Sequence, residues 1–506
     1  MAEAGASAGS FLRKAGPLVV ARLIGAAITF AIPLVLARAL AKDEYGTYKQ
    51  LFLIATTLYY VLPFGVAQSV YFFIPRTQQP RPWVTQTLVF LLLAGTCGGA
   101  LCLGLLPHLA AEFSNPDLTR YQWSLALYVT ALVGAMPFEA TLTSQGKTRT
   151  AAVVYLGCDL LRAAAMVIPI LLGYGVEGAM IASALFSVTR LVATWVATVV
   201  AMPGPLFERG LIRPQLAYAA PFGASVVLLI LQQSAHQFAV SATVTPALFA
   251  IYGVGCAQLP FVDLLYTPTS EVLMVRVGEL EREGRLAESI HAFREASAKL
   301  AYAFLPLAAF MFVAAPEFIA AFYGPSFLAA VPIFRVSVVA IALAILPMDG
   351  LLRARGETRY LFLSYLMKAG ATVPLVYVGV TFFGMMGAIL AWLAAELVGK
   401  ATLLARVPRA LGCGTGTILA RIANVLPGDA LRRAAIAAAG AALAVALLRA
   451  ATPAALDASL PDGLVWRVIP LAVVGVLFGT GYLAMLRMVG VRPLNALAAF
   501  RRTSGA

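Results

Sequence analysis

Apolar residues along this chain fall in runs of about twenty, separated by short polar segments; Val84–Leu106 and Leu464–Leu486 are two of them. A helix of about twenty apolar residues spans a hydrocarbon core of about 30 Å. In lipid the backbone must satisfy its own hydrogen bonds, so such runs form helices. The pattern predicts an all-α polytopic membrane protein with about 14 transmembrane helices. They fall near 15–39, 48–74, 84–107, 121–143, 150–173, 177–202, 214–241, 247–275, 299–322, 328–350, 359–382, 385–405, 433–450 and 465–489. The first run follows Arg13 and Lys14 and extends to Leu40. That is too long for the apolar region of a cleaved signal peptide, so it reads as an uncleaved span.

Composition fits. The 506 residues are 61% hydrophobic and 12% charged, where soluble domains are about half apolar and about a quarter charged. The formal charge of +14 would suggest nucleic acid in a soluble protein. Here the basic residues sort by side. With the N-terminus inside, the inside segments hold 26 Lys and Arg and the outside segments 6. This bias places both termini in the cytoplasm and removes the nucleic-acid reading.

Two inside connections are longer than the rest. The segment 276–298 has balanced charge and helical periodicity, and reads as a surface helix at the cytoplasmic interface. The segment 406–432 is basic, with Arg406, Arg409 and Arg421. It serves either simple retention on the inside or contact with anionic lipid head groups.

The chain repeats itself. MPFEATLTSQGKTRTAAVVYL from Met136 matches LPMDGLLRARGETRYLFLSYL from Leu346. At an offset of 210, Pro137 pairs with Pro347, Glu139 with Asp349, Gly146 with Gly356, Arg149 with Arg359 and Tyr155 with Tyr365. Gly175 and Gly178 pair with Gly384 and Gly387 at 209. The division this predicts is a six-helix bundle over 1–205 and a second over 206–405. A basic cytoplasmic linker follows over 406–432, then two additional helices and a short cytoplasmic tail over 433–506. Six spans is an even number, so the two repeats run parallel around a central cavity. Transporters built this way carry substrate between halves by alternating access.

Gly146-Lys147-Thr148 resembles the end of a phosphate loop, but Thr141 stands where that loop needs glycine, and Glu357 replaces the lysine in the second copy. It reads as a tight inside turn. Five cysteines form no CxxC pair and the three histidines are scattered, so no metal, haem or disulfide framework is expected.

Charges inside spans cost about 2.5–3.5 kcal/mol each at mid-membrane, and mark candidate sites. Asp159 and Arg162 lie three apart on one helical face and can neutralise each other. Glu139 and Asp349 sit by the inside turns, where capping or pairing with an arginine suits them. Arg190 and Glu271 suit a snorkelling or interfacial place. Arg22, Asp263, Arg335, Lys368 and Glu396 have no evident partner nearby in sequence. A cavity with several cations suits a phosphate-bearing substrate. Gln232, Gln233, Ser234, His236 and Gln237 in the seventh span suit either interhelical hydrogen bonds or sugar contacts.

The segment from Leu40, LAKDEYGTYKQLFLIATTLYYVLPFGVAQSVYFFIPR, resembles the first turn and second span of polysaccharide-biosynthesis exporters. These share a superfamily with O-antigen flippases, the lipid II flippase and multidrug and toxin extrusion transporters. The Asp43–Tyr48 turn and Pro75-Arg76 carry the likeness. The resemblance implies a non-enzymatic flippase of the bacterial inner membrane. It would move an undecaprenyl-diphosphate-linked oligosaccharide to the outer leaflet for surface polysaccharide, such as lipopolysaccharide O-antigen. By that likeness Arg22 and Lys49 would face the cavity; the reading of intramembrane charges and polar residues adds Arg162, Gln232, Gln233, His236, Arg335 and Lys368 as candidates for it. Asp159, Asp263 or Glu396 would couple transport to a Na+ or H+ gradient. No cofactor is expected. Partners would be the lipid-linked oligosaccharide, membrane lipids and other polysaccharide assembly proteins.

Three rivals stand beside this reading, one of them a structural scaffold in a capsule assembly complex, against which the costly intramembrane charges speak. A multidrug–cation antiporter of the same fold would favour acids and aromatics over arginines. A membrane-embedded glycan polymerase or ligase usually needs a large outside loop, and the outside loops here reach about fifteen residues at most.

Overall fold

The computed structural model describes residues 2–257, 259–412, 417–451 and 464–491. The tail with Arg492, Arg501 and Arg502 and part of the 406–432 linker lie outside the described residues, as do the side chains of Arg13 and Lys14. Every regular element among the described residues is a helix. Eleven helices are long and apolar enough to cross a membrane. Two helix pairs, Lys42–Val61 with Val66–Arg76 and Pro246–Gly255 with Pro260–Arg282, are each bent by 42° at a short break, and each pair together is long and apolar enough for one further crossing. One of the eleven, Thr358–Ala410, has 53 residues. At about 1.5 Å per residue it would reach about 80 Å, far beyond a bilayer core. Gly384 breaks it at φ 56° and ψ −140°, so it is a hairpin of two crossings. With each bent pair counted as one crossing, the described residues hold up to fourteen crossings, in rough agreement with the number hydropathy predicts.

The sequence repeat is also a repeat of local geometry. Short helices Phe138–Ser144 and Met348–Ala354 lead to Gly146 and Gly356, with φ of 75° and 69°. The next spans begin at Thr148 and Thr358. Gly175 and Gly384 likewise share positive φ, 60° and 56°. This left-handed backbone is open to glycine at little cost. The Gly146-Lys147-Thr148 string is therefore a helix-to-helix turn, with no strand before it.

The segment 276–298 departs from expectation. It is not a separate surface helix. The helix Pro260–Arg282 continues out of its span, turns at Gly284, and Ser289–Val313 begins the next span. Two helix ends that overrun the apolar stretch produce the same periodicity as one interfacial helix.

Contacts divide the chain into two compact units, Met1–Gly253 and Val254–Ala506. In the first, the seventh span, Ile212–Ser241, packs against both halves of the second. The second span bends by 42° where Phe64 and Gly65 take φ of 44° and 76°. Gly223 lies so close to the Phe64 backbone that a Cβ there would overlap it. Near the other end of this contact, Gln50 donates to Ser241 at 2.9 Å, and Asn115 donates to Gln50 at 2.6 Å and to Thr47 at 2.9 Å. In the second unit the last two spans join the ninth through Val313, Ala441, Val445, Val474 and Phe478. Arg449 fastens that seam by pairing with Glu317 and donating to the Val313 carbonyl. The two extra helices are thus part of the second unit's core.

Candidate functional site

In the first unit the charged residues of four helices form one stripe. Asp159 and Arg162 share a face of Thr148–Leu171, as spacing predicts, and pair at 3.0 Å. Arg162 also donates to Thr29 of the first span at 2.6 Å. Gly25, one turn before Thr29, lets Asp159 and Tyr155 approach the first helix; any Cβ there would overlap the Asp159 carboxylate. Arg22 is exposed on the same helix, within hydrogen-bonding reach of the Tyr71 hydroxyl.

The stripe continues to Arg190 and Glu139. One Arg190 nitrogen donates to both Glu139 oxygens, at 2.8 and 2.7 Å, and both side chains are largely buried. Sequence suggested a snorkelling place for Arg190. Instead its head group turns inward, because Glu139 on the short helix after the fourth span supplies a buried counter-charge. Tyr59 of the second span is an electrostatic neighbour of this pair. Three guanidinium groups face two carboxylates in the stripe, so it holds one positive charge more than it neutralises internally.

The second unit repeats this arrangement with other residues. Asp349, the counterpart of Glu139, accepts from Tyr266 and pairs with Arg353. Lys400, one residue past the position that the 209 offset pairs with Arg190, is an electrostatic neighbour of Asp349 and lies over the Tyr266 ring at 5.6 Å. Lys368 and Glu396, which lack sequence-local partners, are partners of each other across the hairpin. Lys368 is buried at 7% exposure, its stem laid against Gly399. Lys368, Lys400 and Arg353 face Glu396 and Asp349, and again one positive charge is in excess.

Other candidates lie apart from these clusters. Arg335 donates to the Phe312 carbonyl at 3.1 Å and lies over the Phe312 ring, so it serves the end of the ninth span rather than a deep charge cluster. Asp263 is in the first turn of Pro260–Arg282, where the helix dipole favours an anion. His236 is buried against Tyr252, with Nδ1 2.5 Å from the hydroxyl, an interhelical contact. Gln232 is buried and Gln233 half-buried on the same helix. Lys49 packs along Gly253 and over the Tyr45 ring. Sequence reasoning missed Tyr59, Tyr266 and Lys400. The repeat carried a signal for the tyrosines: Tyr45-Gly46 and Tyr252-Gly253 stand 207 apart, as do Tyr59 and Tyr266.

Solved structures with this fold are transporters. The chain is similar to the lipid II flippase MurJ in an inward closed conformation, with a TM-score of 0.67 and 12% identity, over 93% of this chain and 99% of that one. It is similar to an inward-facing multidrug resistance MATE family transporter of the MOP superfamily (TM-score 0.60, 14% identity, 77% and 96% coverage). A MOP superfamily transporter from Pyrococcus furiosus also matches (TM-score 0.53, 14% identity, 82% and 95% coverage). No curated protein matches the sequence. Residues 35–332, more than half of the chain, match the family model described as polysaccharide biosynthesis protein, and the chain belongs to that family.

Proposed function

We propose that this protein moves a polyprenyl-diphosphate-linked oligosaccharide from the inner to the outer leaflet of a bacterial inner membrane. Family membership supports the glycan class. The observation that carries the reading is the excess positive charge of the Arg22–Arg162–Arg190 stripe, with Arg22 exposed. An exposed arginine well inside a span is costly against lipid and is stable in a wet cavity. A diphosphate is the part of such a substrate that a guanidinium fork binds best.

In this reading Arg22 meets the diphosphate, and Arg162 and Lys49 extend the cationic surface. Gln233, half-buried on the seventh span, offers a polar contact to sugars, while Gln232 and His236 are buried and brace that helix, and Lys368 stays paired with Glu396 in the second unit. Asp159 and Glu396, each held by a cation, are candidates for coupling to a Na+ or H+ gradient; Asp263 is a third. Both termini lie in the cytoplasm. A multidrug–cation antiporter is disfavoured by the sign of the charge, since a cationic substrate would meet excess positive charge in either unit. A proteoliposome assay tests the proposal. A fluorescent polyprenyl-diphosphate glycan loaded in both leaflets becomes fully quenchable by an impermeant reagent only if the protein moves it. Failure of wild-type protein to increase the quenchable fraction removes the reading.

A further inference from the structure

Beyond the stripe, a cavity of about 100 Å³ lies at the end of the 385–410 half of the hairpin. Its lining includes Tyr360, Arg406, Arg409, Ile418 and Arg421. A cavity needs only about 10–15 Å³ of such space to hold one water, so this one has room for a phosphate group. Arg406 is held by Glu357, its Nη2 donating at 2.7 and 2.9 Å, and lies over the Tyr360 ring. Arg409 and Arg421 have no ion-pair partner among the described residues. Three guanidinium groups thus share one carboxylate.

A second observation points to a ligand. The Nε atoms of Arg406 and Arg421 are shielded from solvent and have no hydrogen-bond partner among the described residues. Buried donors are nearly always satisfied. An anion with several oxygens would satisfy both while balancing the charge. The adjoining helix, Ile418–Val425, is capped by Thr417 and buries Val425. It leaves Ile418 and Leu419 exposed at 55% and 79%. Apolar residues beside a basic pocket are the mark of a helix lying in the membrane interface.

We propose that this pocket binds the phosphate of an anionic phospholipid in the leaflet on the arginine-rich face, with Ile418 and Leu419 dipping among its acyl chains. The site is separate from the stripe proposed for transport and rests on no assumption about the transported substrate. It is tested with the full-length protein in phosphatidylcholine nanodiscs carrying increasing phosphatidylglycerol, reading thermal stability and, by native mass spectrometry, retained lipid. Wild type and the charge-matched control R432Q/R433Q should bind phosphatidylglycerol alike. The variant R409Q/R421Q should bind it about tenfold more weakly, the loss of roughly one surface cation's attraction or more. Leu419→Ser, an exposed position that leaves the fold alone, should weaken the lipid and leave binding of inorganic phosphate unchanged. Equal phosphatidylglycerol affinity in all variants overturns the site. Inorganic phosphate binding wild type as tightly as the lipid does, with no effect of Leu419→Ser on the lipid, overturns the lipid assignment in favour of a soluble anion.

Discussion

Arg190 reaches across from the sixth span to hold Glu139 by both carboxylate oxygens, at 2.8 and 2.7 Å. This contact fixes the short helix Phe138–Ser144, and hence the turn at Gly146, to the body of the first unit. Removing one partner leaves the other charge largely buried and unpaired. Arg190→Gln or Glu139→Gln is therefore expected to destabilise the protein by about 3 kcal/mol. The double variant E139Q/R190Q should recover most of that loss. Thermal unfolding in detergent measures both, and additive losses in the double variant would show that the pair is not coupled.

Lys368 and Glu396 form the corresponding cross-hairpin pair of the second unit. A double-mutant cycle with K368M and E396Q should return a coupling of about 1–3 kcal/mol. A coupling near zero would mean that the two charges act independently.

Gly384 turns the hairpin with a backbone conformation that side-chain-bearing residues strongly avoid. Gly384→Ala should lower stability by about 1–3 kcal/mol. Gly104→Ala, within a helix where no atom lies within 4 Å of the added Cβ, should be neutral or stabilising by up to about 1 kcal/mol. Equal effects at the two positions would contradict the hairpin.

The charge bias places Glu283 inside and Asp117 outside. In a cysteine-free background, an impermeant maleimide should label Asp117→Cys in intact spheroplasts and Glu283→Cys only after lysis. The reverse pattern would invert the topology.

Much of this architecture was legible in the sequence, for a physical reason. Hydropathy reports span length directly, and the two turns repeat because Gly146 and Gly356 meet the same backbone demand. The pairing of Asp159 with Arg162 was legible because both lie on one helix. Lys368 with Glu396 and Arg190 with Glu139 were not, since those pairings depend on the rotation of one helix against another. A hydropathy window does not report that phase. The segment after Arg276 misled for a related reason: amphipathic periodicity does not say whether a helix starts afresh or continues from the membrane.

Exposed Arg22 is proposed to serve a lipid-linked diphosphate substrate. Its most direct test is to delete the gene in its host and complement with wild type or Arg22→Ala, then extract lipid-linked oligosaccharides and assay surface polysaccharide. Deletion and Arg22→Ala should both accumulate a complete lipid-linked repeat unit on the cytoplasmic side and lose surface polysaccharide, with Arg22→Ala present in the membrane at wild-type level. Normal surface polysaccharide in the deletion strain, with altered drug sensitivity alone, would contradict it.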